Sequence, residues 1–182
     1  MRAMNHICYA VYSLSSTGRR LCMISPELEI IFWCCCVCVG NAHRTGVLTN
    51  FSLSDYHSGL QMSDGSVVYS VSQHKTASTH GMATIAVNAE EAVLLHNCVK
   101  IRMSMKFPNS AVYVFINHTG WLMTQSNVAS ALTVAFNKCG FSDRVTCSKV
   151  CKAAVMQVHS SHPQKRHDVA NHMCHRVSTI DS

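Results

Sequence analysis

Arg44 sits in the stretch Asn41-Ala-His-Arg-Thr-Gly-Val-Leu-Thr-Asn-Phe-Ser-Leu-Ser-Asp55, two residues ahead of a glycine. Val47, Leu48, Phe51 and Leu53 follow it at mixed helical and extended spacing. A guanidinium is planar, always charged and donates in pairs, so an arginine fixed at the end of a packed element is suited to grip phosphate oxygens. The charge distribution points to the same class of partner. The chain of 182 residues carries a formal charge of +6 and twelve histidines. Between Lys138 and Arg176, seven basic residues (Lys138, Arg144, Lys149, Lys152, Lys165, Arg166 and Arg176) stand against two acids, Asp143 and Asp168. Such a surplus predicts a polyanionic partner, most simply nucleic acid. Lys149, Lys152, Lys165, Arg166 and Arg176 are the candidate DNA-binding residues. The bland alternative is a solvated basic face that binds nothing.

Other chemistries find little support. There is no Gly-rich phosphate loop, no Gly-x-Ser-x-Gly elbow and no paired carboxylates, and nine acids are too few for a metal-dependent nuclease cluster. Eleven cysteines raise disulfides and metal as options. Four of them, Cys34, Cys35, Cys36 and Cys38, crowd one apolar run, where adjacent residues pair only under strain. With no secretory signal ahead of them, they read as small buried apolar side chains in a reducing compartment, nucleus or cytoplasm. The sequons at Asn50 and Asn117 then carry no meaning. The run from Ile30 to Val39 is too short to span a bilayer, so no membrane partner is expected. Cys147-x-x-x-Cys151 with His172-x-x-His175 leaves open a zinc-binding nucleic-acid module.

The elements that must position these residues read as an α+β chain. Residues 1 to 25 have no clear period and form an extension. Ser25-Pro26-Glu27 opens a helix, with a hydroxyl at the N-cap and proline first inside. It runs to about Asn41, is apolar nearly all round, and delivers Arg44 at its end. Gly59 to Asp64 is turn-like. Val67, Tyr69 and Val71 alternate, as do Ala83, Ile85 and Val87, predicting a hairpin with His74-Lys75-Thr76 at its turn end. Asn88 caps the next helix, with Glu90 and Glu91 in its first turn and Leu94, Cys98, Ile101 and Met105 as its buried stripe; Phe107-Pro-Asn-Ser110 stops it. Ala111 to Ile116 is a short extended core segment, and Asn117-His-Thr-Gly120 turns. Helices follow from Thr124 to about Lys138 and from Ser148 to His159. His162-Pro163 breaks the second, and a last helix covers about Lys165 to Cys174. A helix, a hairpin and several further helices make one mostly helical domain over residues 26–182.

The order of these residues resembles the catalytic domain of the tyrosine recombinases, the phage-integrase family of DNA strand transferases. The likeness is closest to the integrase-like proteins of animal genomes. The residues that carry it are Arg44 in its Arg-Thr-Gly-Val-Leu context, the Ser-Leu-Ser-Asp that follows, and the hairpin lysine Lys75. The resemblance implies a mostly helical domain with a small antiparallel sheet, DNA as partner, self-association on DNA, and no cofactor. It implies that Arg44 contacts the scissile phosphate, Lys75 acts as general acid, and His175, within His172-Met-Cys-His175-Arg-Val-Ser178-Thr179, belongs to the third box. The second box departs from the pattern. Where the family places His-x-x-Arg at a helix start, this chain has Ser148 and Cys151. Val47 also stands where the family often has an acid. The nucleophile is missing as well, because the chain stops at Ser182, short of the family's tyrosine, and Tyr9, Tyr12, Tyr56, Tyr69 and Tyr113 lie elsewhere. The expectation is a recombinase-derived DNA-binding domain without strand transfer. The alternatives are the zinc module above or a non-functional fragment of a mobile element.

Overall fold

The computed structural model describes residues 34, 37–38, 40–74, 77–105, 112–117, 119–138, 142, 144–165 and 168. The expected first helix is seen in part: Cys34, Val37, Cys38, Gly40 and Asn41 are helical, and all but Gly40 are buried. It ends at Ala42, whose φ of 51° is the left-handed conformation that closes helices. After Arg44 come two single-turn helices, α1 (Thr45–Thr49) and α2 (Leu53–His57). The sequence reading left both without an assignment, since five residues are too few to show a period. The local signal for α2 was nevertheless present. Ser52 caps it through a reciprocal box with Asp55: its hydroxyl accepts the Asp55 amide at 3.0 Å, and the carboxylate accepts the Ser52 amide at 3.0 Å.

The sheet is antiparallel, in the order β1-β2-β3. Strands β2 (Val67–Val71) and β3 (Ala83–Val87) fall where alternation predicts them, with Tyr69 opposite Ile85 and Val71 opposite Ala83. The stretch 59–64 is not all turn. Leu60–Gln61 is a short strand, β1, and the turn proper is Ser63 to Gly65, where Gly65 takes φ 81°. Gly59 is required by close approach, because a Cβ there would lie 2.4 Å from the Tyr69 ring. The loop between β2 and β3 contains a further turn of helix, α3 (Ala77–His80), and His74 is tied across it to the Gly81 carbonyl at 2.8 Å.

Helix α4 (Ala89–Ser104) starts as expected, with a full capping box between Asn88 and Glu91. Its inward stripe differs from the expected one. Leu95, Cys98, Val99 and Arg102 are buried, whereas Leu94, Ile101 and Met105 are only partly so. Arg102 takes a core position because its Nε donates to the Tyr113 carbonyl at 2.8 Å while its stem packs along the helix. The segment 112–116, expected to be extended, is turns and bends with isolated bridges from Tyr113 to Ser52 and from Ile116 to Leu122, because its bonds go to residues 51–53: Leu53 N–H donates to Val112 C=O (2.7 Å) and Val114 N–H to Phe51 C=O (2.8 Å). The expected stop at 107–110 lies outside the described residues.

Helix α5 (Gln125–Lys138) is capped by Thr124 and buries Val128, Leu132 and Phe136. Helix α6 (Cys147–Ser161) is capped by Thr146 and ends at His162, followed by a 3-10 turn at Pro163–Lys165. Most of the expected last helix lies outside the described residues. The core joins all these layers. Phe51 meets Tyr69 edge-on at 5.2 Å and Phe115 at 6.2 Å, amid Leu48, Ile85, Leu95, Ile116, Met123 and Leu132. Each such fully buried side chain contributes roughly 1.5–3 kcal/mol.

Candidate functional site

Arg44 stands at the head of α1 with an extended backbone (φ −65°, ψ 146°) and an exposed side chain. What holds it there is the edge of the sheet. One side of β3 pairs with β2, and the segment ahead of Arg44 is bonded to β3 by two buried side chains. Asn41 Oδ1 accepts the Ala86 N–H at 2.7 Å, while Asn41 Nδ2 donates back to the Val37 carbonyl at 3.2 Å. His43, fully buried, bonds the Thr84 carbonyl through Nε2. A carbonyl only accepts, so that bond assigns the proton to Nε2. Polar side chains thereby satisfy an edge strand that apolar packing alone would leave open.

Helix α6 docks on the same segment through thiols. Cys147, the first residue of α6, has its Sγ 2.9 Å from Sγ of Cys38. Cys151, one turn later, donates its thiol to the Ala42 carbonyl at 2.8 Å. Burial pushes the Cys151 thiol up to about 11, and the neighbouring Cys147 adds to the rise. Arg44 works in the opposite direction: its positive charge reaches Cys151 and favours the thiolate. The Cys147 thiol is lowered, chiefly because Cys38 hydrogen-bonds to it. Cys151 thus docks on the backbone two residues ahead of Arg44, although 107 positions of sequence separate 44 from 151.

The outer face of α6 is cationic and polar. Ser148, Lys149 and Lys152 are exposed, and there is no acid in its first turn. Lys149 Nζ donates to the Arg144 carbonyl at 2.8 Å, which holds that ammonium near the helix start. Lys165 is exposed on the 3-10 turn beyond it. Lys75, Arg166, His175 and Arg176 lie outside the described residues, as does His172, the zinc reading's other histidine. Among the described residues, no three His, Cys, Asp or Glu side chains gather as metal ligands. No helix among them is long and apolar enough to cross a membrane.

In chemical terms, this arrangement offers an exposed guanidinium at Arg44, a thiol kept neutral at Cys151 behind it, and exposed ammonium groups on α6. Such a set can hold an oxyanion. Cys151 supplies none of the paired N–H donors of an arginine. Burial raises the pKa of Tyr56, and its hydroxyl is bonded to His96 Nδ1 at 2.8 Å. Sequence reasoning missed the roles of Asn41, His43 and Arg102. Asn41 and His43 lie inside the stretch it singled out, but nothing local distinguishes a polar side chain that will meet a strand edge.

No protein-family model matches this chain, and no curated protein matches it. Solved structures do. The crystal structure of XerA recombinase is similar with a TM-score of 0.59 at 16% identity, covering 87% of this chain and 56% of that one. XerH site-specific recombinase bound to difH substrate, in a pre-cleavage complex, gives a TM-score of 0.63 at 15% identity, covering 87% and 43%. Its post-cleavage complex on palindromic difH gives 0.62 at 15% identity, covering 87% and 42%. This chain spans about half the length of those proteins. At that identity the likeness is one of fold. The chain is mostly helical with a small three-stranded antiparallel sheet, similar to tyrosine recombinase catalytic domains.

Proposed function

We propose that this chain is a DNA-binding domain of recombinase ancestry, in which Arg44 holds a backbone phosphate and strand transfer has been lost at the second box. The observation that carries this reading is the docking of Cys151 on the Ala42 carbonyl, two residues ahead of Arg44. In a phosphoryl-transfer site, charge builds on the non-bridging oxygens, and preorganised cationic donors stabilise it. Among the described residues Arg44 offers such a donor, and the Cys151 position holds a thiol that burial keeps protonated at neutral pH. Loss of a single such donor costs about a hundredfold to a thousandfold in rate. Ser148, at the other second-box position, is exposed and brings no imidazole. The exposed cations Arg44, Lys149, Lys152 and Lys165 suit binding rather than chemistry. The XerH structures were solved with their difH substrate, which supports DNA as the ligand for the shared fold.

Fluorescence anisotropy on duplex DNA tests the binding half. Four phosphate contacts predict a log–log salt slope near −3.6, roughly a 150-fold loss of affinity between about 50 and 200 mM salt. Arg44→Ala should make that slope shallower by about 0.9 and weaken all sequences alike. Affinity that ignores salt, or that ignores Arg44→Ala, refutes the assignment. A nicked suicide substrate tests the other half: no covalent adduct is expected, and an adduct refutes the loss of strand transfer.

A further inference from the structure

We propose that Cys38 and Cys147 are a redox pair that closes to a disulfide, fastening the helix ahead of Arg44 to the first turn of α6. The two sulfurs lie 2.9 Å apart, both buried, at 0% and 5% exposure, and a bond requires them to approach to about 2.05 Å. Their elements are already held together next to this pair by the Cys151–Ala42 bond, so the two sulfurs are kept in contact. The pair is chemically unequal. Cys147 opens a helix, where the N-terminal dipole favours a thiolate, and its contact with Cys38 lowers its thiol further, while the Cys38 thiol also reaches the His43 carbonyl at 3.9 Å. Cys151 faces the other way, with its proton engaged by a carbonyl and its ionisation opposed by burial. Cys147 is therefore the attacking sulfur and Cys38 the resolving one.

The oxidant is a peroxide, small enough for a site so nearly closed. The Cys147 thiolate attacks one oxygen of hydrogen peroxide. The O–O bond breaks, the sulfur becomes a sulfenic acid, and the departing hydroxide takes a proton to leave as water. Cys38 sulfur then attacks the Cys147 sulfur. The S–O bond breaks, and the hydroxyl leaves as a second water with the Cys38 proton. Two thiols and one peroxide give one disulfide and two waters; the sulfurs lose the two electrons that the peroxide gains. A small dithiol reverses the change by exchange. The bond would fix the spacing between Arg44 and the lysines of α6. That consequence rests on the DNA-binding reading, whereas the cross-link does not.

The test is to treat the full-length protein with hydrogen peroxide, block remaining thiols, and digest with trypsin without reduction. Cys147 falls in the peptide Val145–Lys149 as its sole cysteine, and Cys38 falls in Leu21–Arg44 with four others. The expected product is Val145–Lys149 joined to Leu21–Arg44, with fragmentation placing the bond on Cys38. The cross-link should raise Tm by on the order of 10 °C, reversibly with dithiothreitol, because it closes a loop of more than a hundred residues. Cys38→Ala should abolish both the joined peptide and the shift. The idea is overturned if Val145–Lys149 is recovered unlinked. It is equally overturned if that peptide is linked to Cys22, Cys34, Cys35, Cys36 or Cys151. The peptide map of the wild-type protein decides the matter even where the variant fails to fold, and DNA affinity measured on the same samples reports separately on the binding reading.

Discussion

Asn41→Ala removes the side chain that joins the end of the first helix to the edge strand of the sheet. Two hydrogen bonds are lost, one accepting from Ala86 N–H at 2.7 Å and one donating to Val37 C=O at 3.2 Å. Each neutral bond contributes about 0.5–1.5 kcal/mol net, and a donor left partly buried without a partner adds to the loss. Asn41 itself is only 6% exposed, so its truncation also leaves a small void. The sum is about 2–3 kcal/mol, or a fall in Tm of roughly 5–10 °C for a domain of this size. Thermal melting by circular dichroism measures the total, and amide hydrogen exchange locates it. The Ala86 amide should lose protection while that of Ile85, whose strand partner is Tyr69, keeps most of its own. A Tm shift under about 2 °C with unchanged protection at Ala86 would refute the claim that Asn41 anchors the Arg44 segment. The same variant should weaken DNA binding, because the guanidinium would lose its fixed base.

Three further outcomes are expected. Gly59→Ala places a methyl 2.4 Å from the Tyr69 ring, which is stacked on Tyr56 and has little room to move; a loss of about 1–3 kcal/mol in urea unfolding is predicted, and a neutral result would mean that the ring swings aside. Asn88→Ala removes the capping box of α4 and should cost about 1 kcal/mol, measured the same way, while Asn88→Asp should restore most of it. The raised Cys151 thiol sets a pH dependence. The folded state holds that proton more tightly than the unfolded one, so this contribution is complete below pH 9 and is lost as pH rises toward about 11. Melting scans across that window should show a steeper decline for the wild type than for Cys151→Ala, the tyrosines being common to both; parallel curves would contradict the burial argument.

Much of the scaffold was legible because its signals act over a few residues. Asn88 and Thr124 announce their helices by side-chain bonds to amides three positions on. Strands β2 and β3 show in their alternation because one face packs on the core and the other does not. The fold class, helical with a small antiparallel sheet, follows from the order of those pieces. Where sequence reading went astray, a tertiary contact overrode a local pattern. The stripe of α4 shifted because the Tyr113 carbonyl gave Arg102 a partner inside, a bond between residues eleven apart that no periodicity encodes.

By itself, then, the sequence determined which elements form and which residue types they carry: an arginine after an apolar run, and a serine and a cysteine in the first turns of a late helix. Only the tertiary structure decided that Cys151 docks on the backbone just ahead of Arg44, that Cys38 faces Cys147, and that Asn41 and His43 close the edge of β3. Those contacts join residues tens to more than a hundred positions apart. Their geometry depends on how the helices pack against the sheet, and that packing is a property of the whole core rather than of any one segment.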